Sequence, residues 1–186
     1  MSRHQTWWYK TYEVFRYKIP YFLRNLWFFR NELWEFRGWD YSHNLNMFAR
    51  SLERTSMTLE FHGSEEDKSR MKKVEKIKRV IHLMKNSTEV SSVFRAESEL
   101  GEIRGLGNWL IDEEEETPED LEHNRKVYSR ADEIQESEWN EIWDILRGQN
   151  KNEYKKMVDK LSPEELKKRD VWNEWFDGSG LRGWWD

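Results

Sequence analysis

Residues 19–61 read IPYFLRNLWFFRNELWEFRGWDYSHNLNMFARSLERTSMTLEF, and the fold follows from how this stretch divides. Pro20 sits where a helix begins, since its missing N–H costs nothing in a first turn. From there Phe22, Leu23, Leu26, Trp27, Phe29, Leu33, Trp34 and Phe36 cover more than half of a helical circumference. That face is too wide for one neighbour, so it predicts either a central helix or one that also supplies a subunit interface. Gly38 interrupts the pattern. Asp40 is placed to cap the next helix, whose Leu45, Phe48, Leu52 and Leu59 form an amphipathic stripe.

Outward from this pair, the rest of the chain is helical in spacing. After a turn at Gly63-Ser64, residues Met71, Val74, Ile77, Ile81 and Met84 mark a third helix, antiparallel to the second. Thr88 caps a fourth, supported by Val90, Phe94, Leu100 and Ile103 and ending near Gly105-Leu106-Gly107. Thr117-Pro118-Glu119-Asp120 combines a cap, a first-turn proline and acids at the positive helix end. The helix it opens reaches Gly148, about 45 Å if unbroken, with Ser137 as a possible bend. Ser162-Pro163-Glu164-Glu165 starts a last helix carrying Leu166, Val171, Trp172, Trp175 and Phe176. Upstream, Trp8, Tyr12 and Phe15 recur on one helical face of an irregular or helical arm. The predicted architecture is an all-α helical bundle over residues 19–176, with an N-terminal arm over 1–18 and a C-terminal arm over 177–186.

That last arm, Asp177-Gly178-Ser179-Gly180-Leu181-Arg182-Gly183-Trp184-Trp185-Asp186, is jointed by glycine and ends in two indoles. Leu181, Trp184 and Trp185 argue against a solvated tail. A docked arm, inserted into its own body or a neighbouring subunit, is the more economical reading.

Composition bounds the function. The 186 residues suit one domain, and twelve Trp, nine Phe and seven Tyr offset an apolar fraction of only 37%. The absence of Cys excludes disulfides, thiolate metal sites and cysteine nucleophiles. No apolar run is long enough to span a membrane, and the first residues lack an apolar signal core, so a cytoplasmic protein without a membrane partner is expected. The net charge of −5 conceals an asymmetry. Residues 1–37 carry seven Arg/Lys against three Glu, while residues 111–146 carry fourteen Asp/Glu against three Arg/Lys. Such an acidic helix disfavours extended nucleic acid.

No motif announces a reaction. The histidines lack metal-ligand spacing, and "GEIRGLG" at 101–107 lacks the Lys-Ser/Thr of a phosphate loop. Glu113, Glu116 and Asp120 fall on neighbouring helical faces and offer a carboxylate set for Mg²⁺ in a nucleotide hydrolase, although acids at a helix start are also favourable by themselves. The better ligand-binding candidates are cations interleaved with rings: Arg24, Arg30 and Arg37 beside Trp27, Trp34 and Trp39, with Arg182 mounted between glycines in the tail. Rings stack on bases and Arg forks grip phosphates. The plainer reading makes the rings core and lets the arginines snorkel.

The phrases KIPYFLRNLWFFRNELWEFRGWDYS at 18–42, EWNEIWDILRGQ at 138–149 and FDGSGLRGWWD at 176–186 resemble a family of small uncharacterised bacteriophage proteins. The resemblance covers about a quarter of the chain. It implies a phage protein acting in the host cytoplasm, and it transfers no catalytic residue. Together these readings lead to a non-enzymatic homo-oligomer that sequesters a small anionic nucleotide-like ligand in counter-defence, needing no cofactor. A metal-dependent hydrolase and an inhibitor of a host protein are the alternatives.

Overall fold

A computed structural model describes residues 3–62, 66–104 and 117–184, and among these no strand occurs. The chain divides into two compact units, Met1–Arg50 and Ser51–Asp186.

The first unit is a succession of helices: α1 (Arg3–Glu13), a π-helical turn (Val14–Lys18), α2 (Ile19–Phe28), α3 (Arg30–Glu35) and the opening turns of α4 (Tyr41–His62). The arm predicted over residues 1–18 is therefore helical where described. The single helix expected from Pro20 to Gly38 is broken at Phe29, whose φ of −95° and ψ of 10° leave the helical region. Arg50 holds the break in place. Its guanidinium donates to the Phe28 carbonyl at 3.3 Å, lies 4.1 Å from the centre of the Phe28 ring, and approaches Glu32 at 3.5 Å. Asp40 caps α4 as expected, accepting from the Ser42 N–H at 2.9 Å. Hydrogen bonding from the Ser42 side chain, and then from its N–H, holds the Asp40 carboxyl below the usual aspartate range.

The second unit holds the buried core. It comprises the remainder of α4, α5 (Asp67–Asn86), α6 (Glu89–Leu100), α7 (Pro118–Arg147), α8 (Lys151–Val158), α9 (Pro163–Lys168), α10 (Val171–Trp175) and a 3₁₀ turn (Leu181–Trp184). Leu52 and Leu59 from α4 and Val74, Ile77, Val80, Ile81, Leu83 and Met84 from α5 are buried. Glu53 pairs with Lys85 and Glu60 with Lys78, a crossing of numbers that makes α4 and α5 antiparallel. The caps at Thr88 on α6 and Thr117 on α7 are those the sequence predicts. Ser162 starts a helix as expected, through a capping box with Glu165, but that helix is divided into α9 and α10. Helix α7 runs its full 30 residues without a break at Ser137.

The buried face of α6 also differs from the expected one. In α6 the buried side is Ser92 and Ala96, with Val93 packed on the Ala96–Val127–Ala131 cluster, while Val90 and Phe94 are exposed. Small residues allow α6 and α7 to approach closely. Two of the acids of α7 are answered by cations of other helices. Glu141 takes a two-pronged contact from Arg79, and Glu138 takes one from Arg95 together with the Ser87 hydroxyl. Both carboxyls lie below the usual glutamate range, chiefly because of these arginine hydrogen bonds.

The C-terminal arm docks on its own unit. Trp184 is 1% exposed, and its indole N–H donates to the Gly178 carbonyl at 2.8 Å. Gly180 donates to the Ile145 carbonyl at 2.8 Å. Gly178 has φ of +92°, and a Cβ there would stand 2.2 Å from the Lys72 carbonyl oxygen. Gly183 has open space around it. Gly178→Ala is therefore expected to destabilise the protein by about 3 kcal/mol in urea unfolding, with Gly183→Ala within about 1 kcal/mol of the wild type.

Candidate functional site

The docked arm closes one side of a cavity of about 1100 Å³ in the second unit. Three parts of the chain build its remaining walls: the start of α5, the α7–α8 junction and α10. The start of α5 supplies Ser69 and Lys73, with Glu66 just before it. Lys73 is buried, which is unusual for a lysine. The junction supplies Arg147, Gly148, Gln149 and Lys151. Gly148 turns there with φ of +76°, and a Cβ on it would lie 2.5 Å from the Gly180 Cα.

The third wall is aromatic. Trp172, Trp175 and Phe176 line the cavity. Trp172 stacks on Phe176 with centroids 5.1 Å apart and planes at 15°. Tyr154 from α8 packs behind, 5.3 Å from Trp172 and 5.1 Å from Trp175. The backbone of this wall is pinned from two sides. The Lys72 ammonium donates to the Asn173 carbonyl and, at 2.7 Å, to that of Phe176. Gln149 donates to the Trp175 carbonyl at 2.8 Å and accepts from the Asp177 N–H at 3.0 Å.

Cations dominate the lining. Lys73, Arg147, Lys151 and Arg182 face one carboxylate, Glu66, which itself accepts from Asn173 at 2.9 Å. A second hollow, of about 820 Å³, shares Arg147, Gly148, Gln149 and Ser179 but is lined by Glu141, Asp144, Glu153 and Asp177. Three of those acids are already paired, with Arg79, Arg147 and Lys76 respectively for Glu141, Asp144 and Asp177. The first cavity is therefore the one whose lining is mainly cationic, although Arg147 is shared with Asp144.

The residues singled out from the sequence separate. Arg182 and Leu181 belong to the cavity lining, with Arg182 exposed. Trp184, read as a possible interface residue, is buried in its own unit and so is closed to a second subunit; Trp185 lies outside the described residues. Arg24, Arg30, Arg37, Trp27, Trp34 and Trp39 all lie in the first unit. There they form contacts between chain neighbours and build no common platform. Arg24 lies 4.7 Å from the Tyr21 ring centre, and Arg30 lies 4.3 Å from that of Trp27. Trp34 and Trp39 are 90% and 85% exposed, so neither is core. Of the carboxylates considered for Mg²⁺, Glu113 and Glu116 lie outside the described residues, and Asp120 accepts from the Thr117 hydroxyl at 2.6 Å as part of a helix cap. Among the described residues no three His, Asp or Glu gather closely enough to hold a metal ion.

No family model, curated protein or solved structure matches the chain. The site is therefore read from its own geometry. Sequence reasoning missed Lys73, Arg147 and Lys151 as members of it. Lys73 is one of eight cations along α5, and only the docked tail distinguishes it. Trp172 and Trp175 were visible, but as core of a last helix.

Asp177 couples the arm to α5. Burial pushes its carboxyl up, yet the Ser179 hydroxyl and N–H and the Lys76 ammonium at 3.1 Å together hold it below the usual aspartate range. A lowered folded value stabilises the protein at pH above the unfolded value of about 3.9 and loses that stabilisation as pH falls through the folded one. Asp177→Asn is expected to lower stability at neutral pH and to flatten the acid limb of a stability–pH profile below about pH 4, read by thermal unfolding.

Proposed function

We propose that the protein binds and sequesters a small anionic ligand that carries a flat ring, of the nucleotide class, in the cavity closed by its C-terminal arm. One observation carries this reading: four cations and an aromatic wall share a cavity with a single acid, Glu66. The rings present faces for stacking, and the guanidinium groups of Arg147 and Arg182 suit phosphate oxygens. Gly183, with open space around it, lets backbone approach the ligand without a side chain in the way. The volume lies just above the ordinary range of small-molecule sites.

The site differs from the one expected on the N-terminal helix, but the ligand chemistry is the same. Arg182 alone is common to both. The resemblance of the FDGSGLRGWWD ending to phage proteins supplies a setting, in which a nucleotide signal of the host is held and not consumed.

Isothermal titration with AMP, a cyclic dinucleotide and inorganic phosphate tests the reading. A nucleotide is expected to bind more tightly than phosphate, because phosphate leaves the rings unused. Arg182→Ala and Lys151→Ala, both exposed and outside the core, are each expected to weaken nucleotide binding about tenfold without lowering stability. Recovery of the ligand unchanged after incubation with Mg²⁺ supports sequestration over turnover. Equal affinity of wild type and both variants for every probe would remove the cavity as the site.

A further inference from the structure

We propose that the exposed face of the N-terminal helix is a self-association surface, on which the same helix of a second copy docks antiparallel. Trp8, Tyr12, Phe15, Ile19, Leu23 and Trp27 follow one another at intervals of four, three, four, four and four residues, and every one is exposed. Trp8, Phe15 and Trp27 are 66%, 68% and 70% accessible. Across residues 7–50 only Ala49 is buried. A segment this aromatic gains nothing from burial while it stands alone.

The backbone turns these six residues into a stripe. Steps of four drift by about 40° each around an α-helix of 3.6 residues per turn. The π-helical turn at Val14–Lys18 contains more residues per turn and counters that drift where the steps of four begin. Rings bury roughly 150–250 Å² each when covered, so six large side chains with these exposures offer on the order of 700 Å². That is close to the ~800 Å² each partner contributes to a stable interface of standard size.

Symmetry and charge select the occupant. The stripe is nearly its own reverse about the point between Tyr17 and Lys18. Antiparallel pairing sets Trp8 against Trp27 and Tyr12 against Leu23 of the second copy, as a two-fold interface requires, with Phe15 and Ile19 meeting across the axis one residue out of that register. It also sets Lys10 opposite Asn25, Arg24 opposite Thr11 and Glu13 opposite Phe22. Near the axis, Lys18 is engaged by Glu13 of its own chain at 3.7 Å. Parallel pairing would instead place Lys10, Arg16, Lys18 and Arg24 each beside its own copy, and such like-charge contacts are costly. A basic aromatic helix also suits an anionic bilayer, and the test separates that occupant.

The chain has no Cys, so introduced thiols report only on their own positions. The full-length protein is expected to sediment as a dimer at tens of micromolar. Phe15→Glu and Leu23→Glu should each weaken that dimer at least about tenfold, with far-UV circular dichroism confirming the fold. Met57→Glu, at an exposed position of the second unit, should leave it intact. In an oxidised mixture of Trp8→Cys and Trp27→Cys chains, the mixed disulfide should be the main product. A main product of Trp8→Cys with itself would overturn the antiparallel arrangement. A dimer untouched by Phe15→Glu and Leu23→Glu would overturn the surface. So would a monomer, and a monomer that pellets with phosphatidylglycerol vesicles would assign the stripe to lipid.

Discussion

The second unit depends on the seating of Gly178 against the backbone of Lys72 and Lys73. Only a residue without a side chain fits there, and only one tolerant of positive φ adopts the turn. Once that contact is made, the Lys72 ammonium can reach the carbonyls of Asn173 and Phe176, which end α10. These bonds fix the orientation of the Trp172–Phe176 stack. The same approach places Ser179 and Gly180 against the end of α7, where the Gly180 N–H finds the Ile145 carbonyl. Trp184 then closes the arm by burying its indole with its N–H satisfied. Cavity wall and tail anchor are thus one construction.

Charge follows the same logic of shared use. The acids of α7 look like a repulsive surface when counted along the chain. In the fold, Glu138 and Glu141 meet Arg95 and Arg79 from α6 and α5, and Arg130 answers Glu99 and Glu133. These are contacts at half-exposed positions, individually worth little, and their effect is to set the register between α5, α6 and α7. The cations that line the cavity come from the first turns of α5, the end of α7, the start of α8 and the tail.

How much of this was legible in the sequence depends on whether a signal was local. The all-α class, the caps at Thr88, Thr117 and Ser162, and the length of α7 were all readable, because caps and periodicity act within a few residues. The docked tail was readable from its composition, since glycines and indoles together suit neither a helix nor a solvated end. What could not be read was which partner a long-range contact selects. Phe94 carries the apolar weight of α6, yet Ala96 faces α7, because close approach of two helices favours small residues over large ones. Lys73 looks like its neighbours until Gly178 lands beside it. The break at Phe29 likewise requires Arg50, 22 residues on, to take the Phe28 carbonyl.

The aromatic residues of the first unit and those of the second therefore suit different partners. In α10 the stacked rings form one wall of a space that Lys73, Arg147, Lys151 and Arg182 also line. In α2 and α3 the cations lie on neighbouring rings. Arg24 lies on Tyr21, and Arg30 lies on Trp27 while donating to the Trp27 carbonyl at 2.8 Å. A base stacking on Trp27 would have to displace Arg30, giving up about 0.5–1 kcal/mol of cation–π contact to gain one of similar size. An apolar surface approaching the ring edges and the aliphatic residues between them displaces only water, and gains roughly 25 cal/mol for each Å² it covers. Small anions are better served at the C-terminal arm, and broad apolar contact at the N-terminal helix.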